Sequence, residues 1–580
     1  MFEKIIYISN EIAKIKVSGE LESNIMNMHV IFEDKDRFIL GQVQDLDGDI
    51  VKVNFLGELI DNKFTSGVTM KPSLKSKIRM ITKDELSFII GINKVDSFYV
   101  GRSPLYDDAE VRVDINELFS NHMAIFGNTG SGKSYGVARL LQNVFSNTNL
   151  PPVKSNFFIF DAYGEYHDAF MNIDQINPNY HFKYYTTNLN DDGGEILRIP
   201  LWLLTVDDYA LLLGADSHVQ LPIIERMLKL ANIFAEDSEM ANKYKNHLIA
   251  KAIMSILYTN QTSQSKRNDI FAIMNSCSTN EFNIEAPVKG LGYTRKFREC
   301  FEIDKSGEFT ESILVTEYIS NFIDEELDKY EAKKVSFFTL NDLEKALEFT
   351  LISEGLLRNE KAYNEAITLK VRLHSLAIGS NAIYFSYPNF ITLEQYISSL
   401  VSCNGGKAQI VNFNLEDIDD SIAKVITKIY TKMLFDFTKK LRVRASIPFH
   451  IFLEEAHRYV REDNDNYLLG YNIFERVAKE GRKYGLIFNL ISQRPVEISE
   501  TVISQCSNFL IFKMTHPRDL EYIRKMLPNI SSEIVEMQKT LQSGTCVAFG
   551  RAFRIPLLVK MDLPSPEPNS TNADVALRWK

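Results

Sequence analysis

From Gly127 to Ser134 the chain reads Gly-Asn-Thr-Gly-Ser-Gly-Lys-Ser, a set of residue types spaced to bind a polyphosphate. Glycines at 127, 130 and 132 can take backbone angles closed to other residues. Successive N–H groups can then turn inward around phosphate oxygens, with the positive end of a following helix behind them. Lys133 would reach the β- and γ-phosphates, and Ser134 would place its hydroxyl on Mg2+. Asn128, Thr129 and Ser131 complete the loop and Tyr135 follows it, so Gly127 to Tyr135 is the expected contact with ATP. A solvent loop can carry the same letters, and the context argues against it. Residues 123 to 126 are all apolar, and Val137, Leu140, Leu141, Val144 and Phe145 recur at helical spacing. Strand, loop and helix start follow one another as phosphate binding requires.

Two further apolar runs deliver acids. Phe449 to Leu453 leads into Glu454 and Glu455, where one carboxylate can orient the water shell of Mg2+ and the next can polarise an attacking water. Glu454 is assigned to the metal and Glu455 to the water. Asn156 to Phe160 ends in Asp161, with Glu165 four residues on. Functional groups collect at the carboxyl ends of strands in an open parallel sheet, so both acids would lie near the nucleotide if this strand neighbours the one before the loop. Paired acids and acidic turns are common on surfaces, and it is the loop upstream that gives these a role. Leu486 to Ile491 is a third buried run, and Gln493 after it can sense the γ-phosphate or hold the attacking water. Arg482, on the turn before that run, is either a surface arginine or a finger reaching a neighbouring subunit's site.

The elements that must position these groups are legible in outline. At 580 residues the chain is long enough for several domains, and 45% apolar with 24% charged residues is ordinary for a globular protein. A net charge of −11 argues against a protein that coats nucleic acid over its whole surface, so DNA contact would be local. Candidate contacts are the basic runs Lys71 to Arg79 and Lys439 to Arg444. The first reads equally as a solvated loop and the second as an ordinary helix C-terminus. Five cysteines show no metal spacing and read as reduced packing residues of a cytoplasmic chain. The sequence shows neither an export signal nor a membrane span.

Residues 1–100 carry short alternating strands, such as Val51, Val53 and Phe55 set against Lys52 and Asn54 and ending at Leu56-Gly57, which suggest a small β-barrel. Residues 101–205 alternate strand and helix. Residues 206–400 are mostly helical, with apolar faces such as Ile223, Ile224, Met227, Leu228, Ala231 and Phe234. The strand pattern resumes over 401–562, with a helix from about Asp420 to Lys440 and a closing hairpin between Gly544 and Pro556. Residues 563–580 form an arm, extended from Leu563 to Asn572.

Taken together, GNTGSGKS at 127, DAYGEY at 161, IPLW at 199, FLEEAH at 452, EGRKYG at 480, ISQRP at 491 and SQCSN at 504 resemble the HerA family of ring-forming ATPases, relatives of the FtsK-type DNA translocases. The resemblance implies an α/β fold: a RecA-like P-loop core with an N-terminal HAS-barrel-like domain and a helical insertion. It also implies a homohexamer with double-stranded DNA in its channel. Lys133, Ser134, Glu455 and Gln493 would act on ATP within one subunit and Arg482 across the interface. Tyr163 stands where the family often has His, and Glu454 replaces the Asp of the general NTPase pattern. HerA-like proteins work with partners, either a nuclease that resects DNA ends or, in antiviral systems, a nuclease or a sirtuin-like NAD-cleaving enzyme. Composition leans toward the antiviral branch. Three functions stay open: a DNA translocase feeding an effector, an ATP-regulated scaffold that docks its effector through the barrel, and a protein unfoldase.

Overall fold

Apolar alternation in the first hundred residues builds an antiparallel sheet of β1 (Phe2–Ile8), β2 (Ile12–Val17), β3 (His29–Asp34), β4 (Arg37–Asp47), β5 (Ile50–Ile60), β6 (Lys63–Ser66) and β7 (Lys77–Met80). The computed structural model describes residues 2–18, 25–34, 36–60, 63–90, 96–329, 335–353, 360–403, 405–526, 536–570 and 575–579. Hydrogen bonding runs β1-β2-β5-β4-β3-β7, with β6 added beside β5. The expected closed barrel is not confirmed. Among the described residues β1 and β7, the ends of this path, are not hydrogen-bonded to each other, so the sheet is a half-barrel. One face gathers Ile15, Val30, Phe32, Val43, Val51 and Val53 into its own core. Ile31, Leu40 and Leu59 turn the other way and join Phe98, Val111 and Leu140 of the larger core. β5 runs on through Gly57 to Ile60, contrary to the expected end at Leu56-Gly57. Glycine permits this because β6 crowds it: a Cβ at Gly57 would lie 2.3 Å from the Thr65 carbonyl oxygen.

The second sheet has twelve strands: β8 (Ser97–Ser103), β9 (Ala109–Asp114), β10 (Met123–Phe126), β11 (Phe157–Asp161), β12 (Phe182–Thr186), β13 (Glu195–Ile196), β14 (Ile410–Asn414), β15 (Phe449–Leu453), β16 (Leu486–Ser492), β17 (Asn508–Phe512), β18 (Thr545–Gly550) and β19 (Leu557–Lys560). Their order is β13-β12-β14-β11-β15-β16-β10-β17-β18-β19-β8-β9. From β12 to β17 the pairings are parallel, and from β17 to β9 antiparallel. Parallel strands covered on both faces need continuous apolar runs, and β11, β14, β15, β16 and β17 are buried at every position. Phe160 stacks on Phe413 with ring centroids 4.9 Å apart, and Phe413 stacks in turn on Tyr185 at 5.4 Å. Helix α1 (Lys133–Phe145) follows β10 directly and buries Val137, Leu140, Leu141, Val144 and Phe145.

The chain divides into two compact units. The first comprises 1–195, 397–463 and 472–580, and the second 196–396 and 464–471. The second is largely helical, with α2 (Gln220–Ala235), α3 (Glu239–Leu257), α4 (Ser263–Cys277), α5 (Leu340–Ser353) and α6 (Glu360–Ile378). α2 buries Ile223, Ile224, Met227 and Ala231, while Leu228 and Phe234 are half-buried. Back in the first unit, α7 (Asp420–Lys440) spans the residues its apolar periodicity marks. Of the expected arm, residues 571–574 and 580 lie outside the described residues. No described helix is long and apolar enough to cross a membrane.

Candidate nucleotide site

The loop from Gly127 to Gly132 springs from the carboxyl end of β10, and its shape depends on its glycines. Gly130 and Gly132 have φ of 73° and 96°, angles that side chains resist. At Gly132 a Cβ would also meet the Gly544 nitrogen at 2.7 Å. Neighbouring strands fix the loop at several points. Gly127 N–H donates to the Ser492 carbonyl (3.3 Å), Asn128 N–H to the Lys513 carbonyl (2.9 Å) and Gly544 N–H to the Ser131 carbonyl (3.0 Å). The Asn128 amide donates to Thr515 Oγ1 at 2.7 Å, and Thr129 Oγ1 donates to Gln493 Oε1 at 2.7 Å. Lys133 folds back so that Nζ donates to the Asn128 carbonyl at 3.2 Å. Its burial lowers the ammonium pKa, and the charges of Glu455, Glu454 and Glu165 oppose that shift.

Strand order then decides which acids reach the loop. β15 and β16 both lie between β10 and β11, so the strand that ends in Asp161 does not neighbour the strand before the loop. Even so, the turn after β11 carries Glu165 close enough for Ser134 and Lys133 to oppose the rise in its pKa. Asp161 itself is spent on that turn. It is fully buried, Oδ1 accepts from the Tyr163 and Glu165 amides, and Oδ2 accepts from the Tyr166 amide and from Asn412 Nδ2. Asp161 therefore shapes the turn. Tyr163 is half-exposed, with the Arg458 guanidinium 5.5 Å over its ring.

β15 delivers Glu454 and Glu455 as the pattern predicts. Glu454 is buried beside Asp161, and its pKa stands well above the usual carboxylate range. Burial is the main cause, followed by the charges of Asp161 and Glu165 and a hydrogen bond with Asp161. Glu455 has φ 46° and ψ 49°, the left-handed region. For a non-glycine residue this costs roughly 1–3 kcal/mol and is held by the surrounding structure. Glu165 is likewise raised, first by burial and then by Asp161, against hydrogen bonds from Ser134 and Ser570 and the charge of Lys133.

The buried oxygens at this end of the sheet without a hydrogen-bond partner include Ser131 Oγ, Glu165 Oε2, Glu454 Oε2 and Glu455 Oε2. Unsatisfied acceptors around a glycine loop and a buried lysine fit a nucleotide carrying a divalent cation. Among the described residues no three His, Cys, Asp or Glu side chains form a metal cage. That also fits, because Mg2+ takes most of its ligands from phosphates and water.

Arg482 stands apart from these groups. It sits on the turn before β16, exposed, and its guanidinium donates to Asn121 Oδ1 at 2.7 Å and to Ser507 Oγ at 3.3 Å. Gln493 immediately follows the other end of the same strand, so seven residues of strand, roughly 20 Å, separate the arginine from the loop. With Lys479, Lys483, Arg551 and Glu117 it lines a cleft of about 320 Å3.

Local pattern does not reveal several contacts that complete the site. Tyr135 is turned to the C-terminal arm, its hydroxyl donating to Glu567 Oε2 at 3.1 Å. The arm then reaches Glu165, where the Asn569 amide donates to its carbonyl (2.7 Å) and Ser570 Oγ to Oε1 (3.1 Å). Asn412 alone leaves a trace in the sequence, as an amide inside the apolar run of β14.

Sheet, loop and buried lysine define a P-loop ATPase. Within that class the chain is HerA-like. Residues 98–285 match the family described as "Helicase HerA, central domain". The chain is 25% identical over 536 residues to the DNA double-strand break repair helicase HerA of Sulfurisphaera tokodaii, covering 91% of this chain and 81% of that protein. It is also 25% identical to a probable DNA double-strand break repair helicase HerA of Methanocaldococcus jannaschii, with coverage of 93% and 92%. Among solved structures, VirB4 of Thermoanaerobacter pseudethanolicus aligns with 81% of this chain and 98% of its own, at 13% identity and a TM-score of 0.46.

Proposed function

We propose that this chain is a ring-forming ATP hydrolase that binds and translocates double-stranded DNA together with a partner effector. The observation that carries the ATP chemistry is the meeting of Lys133, Glu454, Glu455 and Gln493 at one loop, with acceptor oxygens left open beside it. The DNA substrate is supported by the relatives named as double-strand break repair helicases. In this reading loop amides from Gly127 to Ser134 and the Lys133 ammonium hold the phosphates. Ser134 and Glu454 hold the metal side, Glu455 orients the attacking water, and Gln493 contacts the γ-phosphate end. Mg2+, when bound, neutralises phosphate charge. Asp161 acts by fixing the turn that carries Glu165. Arg482 serves the neighbouring subunit of a homohexamer, since its place at the amino end of β16 leaves it out of reach of its own loop.

The same reading divides the chain into an N-terminal effector-docking domain (1–100), a RecA-like core (101–205 and 401–562), a helical insertion (206–400) and an arm (563–580). It places the protein in the cytoplasm, with a nuclease or sirtuin-like NAD-cleaving enzyme as effector and antiviral defence as its role. The first experiment is ATP hydrolysis by the purified chain with and without linear duplex DNA. Stimulation that weakens as salt rises supports a DNA motor, and a rate indifferent to DNA overturns it. The lack of a hydrogen-bonded pairing between β1 and β7, the ends of the first sheet, favours one second reading. In it the ATP-bound ring is a scaffold that pairs an effector strand to that edge and translocates little. Deleting residues 1–100 would then abolish effector capture, and capture that survives the deletion would sink it.

A further inference from the structure

His457 has no role in the scheme above, yet it occupies a junction. It lies on the single turn Ala456–Arg458 after β15, buried, with its carbonyl fixed by Arg461 Nε at 2.7 Å. Nδ1 stands 3.1 Å from Ser492 Oγ and 3.1 Å from Glu455 Oε2. Only the contact with Ser492 is aligned as a hydrogen bond, and Glu455 Oε2 has no aligned partner.

Ser492 is the last residue of β16. Its hydroxyl also accepts from the Arg494 amide at 3.0 Å, and its carbonyl accepts from Gly127 N–H at the root of the phosphate loop. The next residue is Gln493, hydrogen-bonded to Thr129. Loop, strand end, imidazole and Glu455 thus form one chain of contacts. A carboxylate only accepts, so an imidazole that serves it must carry its proton on Nδ1. One N–H cannot be aligned on two acceptors at once.

We infer that His457 is a positioning residue for Glu455. It holds the carboxylate beside the end of β16 and re-aims its Nδ1–H from Ser492 to Glu455 when the contact of Gln493 with the loop changes. This rests on the reading of Glu455 as the residue that orients water. The full-length chain is compared as wild type, Glu455→Gln, His457→Ala, His457→Gln, His457→Asn, Gln493→Ala and the His457→Ala/Gln493→Ala double variant. Steady-state hydrolysis, affinity for a fluorescent non-hydrolysable ATP analogue and thermal unfolding are recorded for each.

His457→Ala lowers kcat by roughly tenfold or more, while KM and analogue affinity stay within about twofold. Asn, whose amide nitrogen falls near Nδ1, restores most of the rate, and Gln, whose amide falls near Nε2, does not. The double variant loses less than the product of the two single effects. The inference is overturned if Glu455→Gln abolishes hydrolysis while His457→Ala leaves kcat intact. It is also overturned if Asn and Gln rescue equally, or if the double variant is multiplicative. If Glu455→Gln itself leaves hydrolysis intact, the reading of Glu455 fails, and this inference with it.

Discussion

The two ends of the parallel sheet differ in what they leave unsatisfied. At the carboxyl end four acids and one lysine crowd the phosphate loop, one of the acids raised well above its usual pKa and several oxygens unpartnered. At the amino end two polar groups are settled, while His450 Nδ1, at the start of β15, has no hydrogen-bond partner. His122 accepts from the Phe488 amide through Nδ1 and pairs through its other nitrogen with the Ala478 carbonyl, and Arg482 bonds Asn121 and Ser507. Buried polar groups normally find partners, so oxygens left open mark where a ligand completes the structure. The sheet also separates anionic machinery from its candidate arginine by a strand length. A single chain cannot bring both to one phosphate, whereas head-to-tail packing of identical copies can, and such contacts make a ring when the rotation closes.

At the carboxyl end the effect should be large. Lys133→Ala and Glu455→Gln should each lower ATP hydrolysis at least about 100-fold, measured as phosphate release, with the fold retained by circular dichroism. Normal rates would remove that end's claim to the chemistry. Arg482→Ala should cost on the order of 1000-fold if it acts as an arginine finger. The sharper form is mixing: Lys133→Ala subunits combined with Arg482→Ala subunits should recover part of the activity, because some interfaces then pair an intact loop with an intact arginine. An inactive mixture, with assembly confirmed by light scattering, would place both groups in one subunit's site.

Between the two ends lies a shared core, and breaking it should not discriminate between them. Phe160→Ala, which removes a buried ring stacked on Phe413, should destabilise the first unit by about 3–5 kcal/mol, read from urea unfolding. The amino end should show itself through acid. Burial lowers His122, with help from the charge of Arg482, and lowers His450 by burial alone, each to about 4. The unfolded chain then binds more protons than the folded one between about pH 6.5 and 4. Their stabilisation is present above pH 6.5 and lost as pH falls through about 4, up to roughly 3 kcal/mol for each. Their share of the melting temperature should therefore fall across that window, against Glu454 and Glu165, whose raised pKa values gain stability as pH falls. Equal slopes for wild type and His122→Gln would mean that His122 titrates alike folded and unfolded. The smallest effect is expected at the arm, where Ser570→Ala removes one hydrogen bond to Glu165, worth about 1 kcal/mol. It should change hydrolysis by no more than about tenfold.

The sequence by itself determined everything that depends on neighbours along the chain. Glycines at 130 and 132, Lys133 and the apolar run before them specify a strand, a loop and a helix start. The largely apolar stretches of β11, β15 and β16 announce buried parallel strands, and the acids and amide that follow them are placed at strand ends by adjacency alone. Tertiary structure decided what adjacency cannot. Inserting β15 and β16 between β10 and β11 turned Asp161 toward its own turn and left Glu165 as the acid of that turn facing the loop's lysine. Pairing through Gly57 lengthened β5, and the first sheet stayed open where alternation suggested closure. Direction along β16 put Arg482 and Gln493 at opposite ends, and the fold back of β15 against β16 set His457 between Glu455 and Ser492. Local pattern fixes which face of a strand is buried, but which strand lies beside it depends on contacts across hundreds of residues, and those form only when the whole sheet packs.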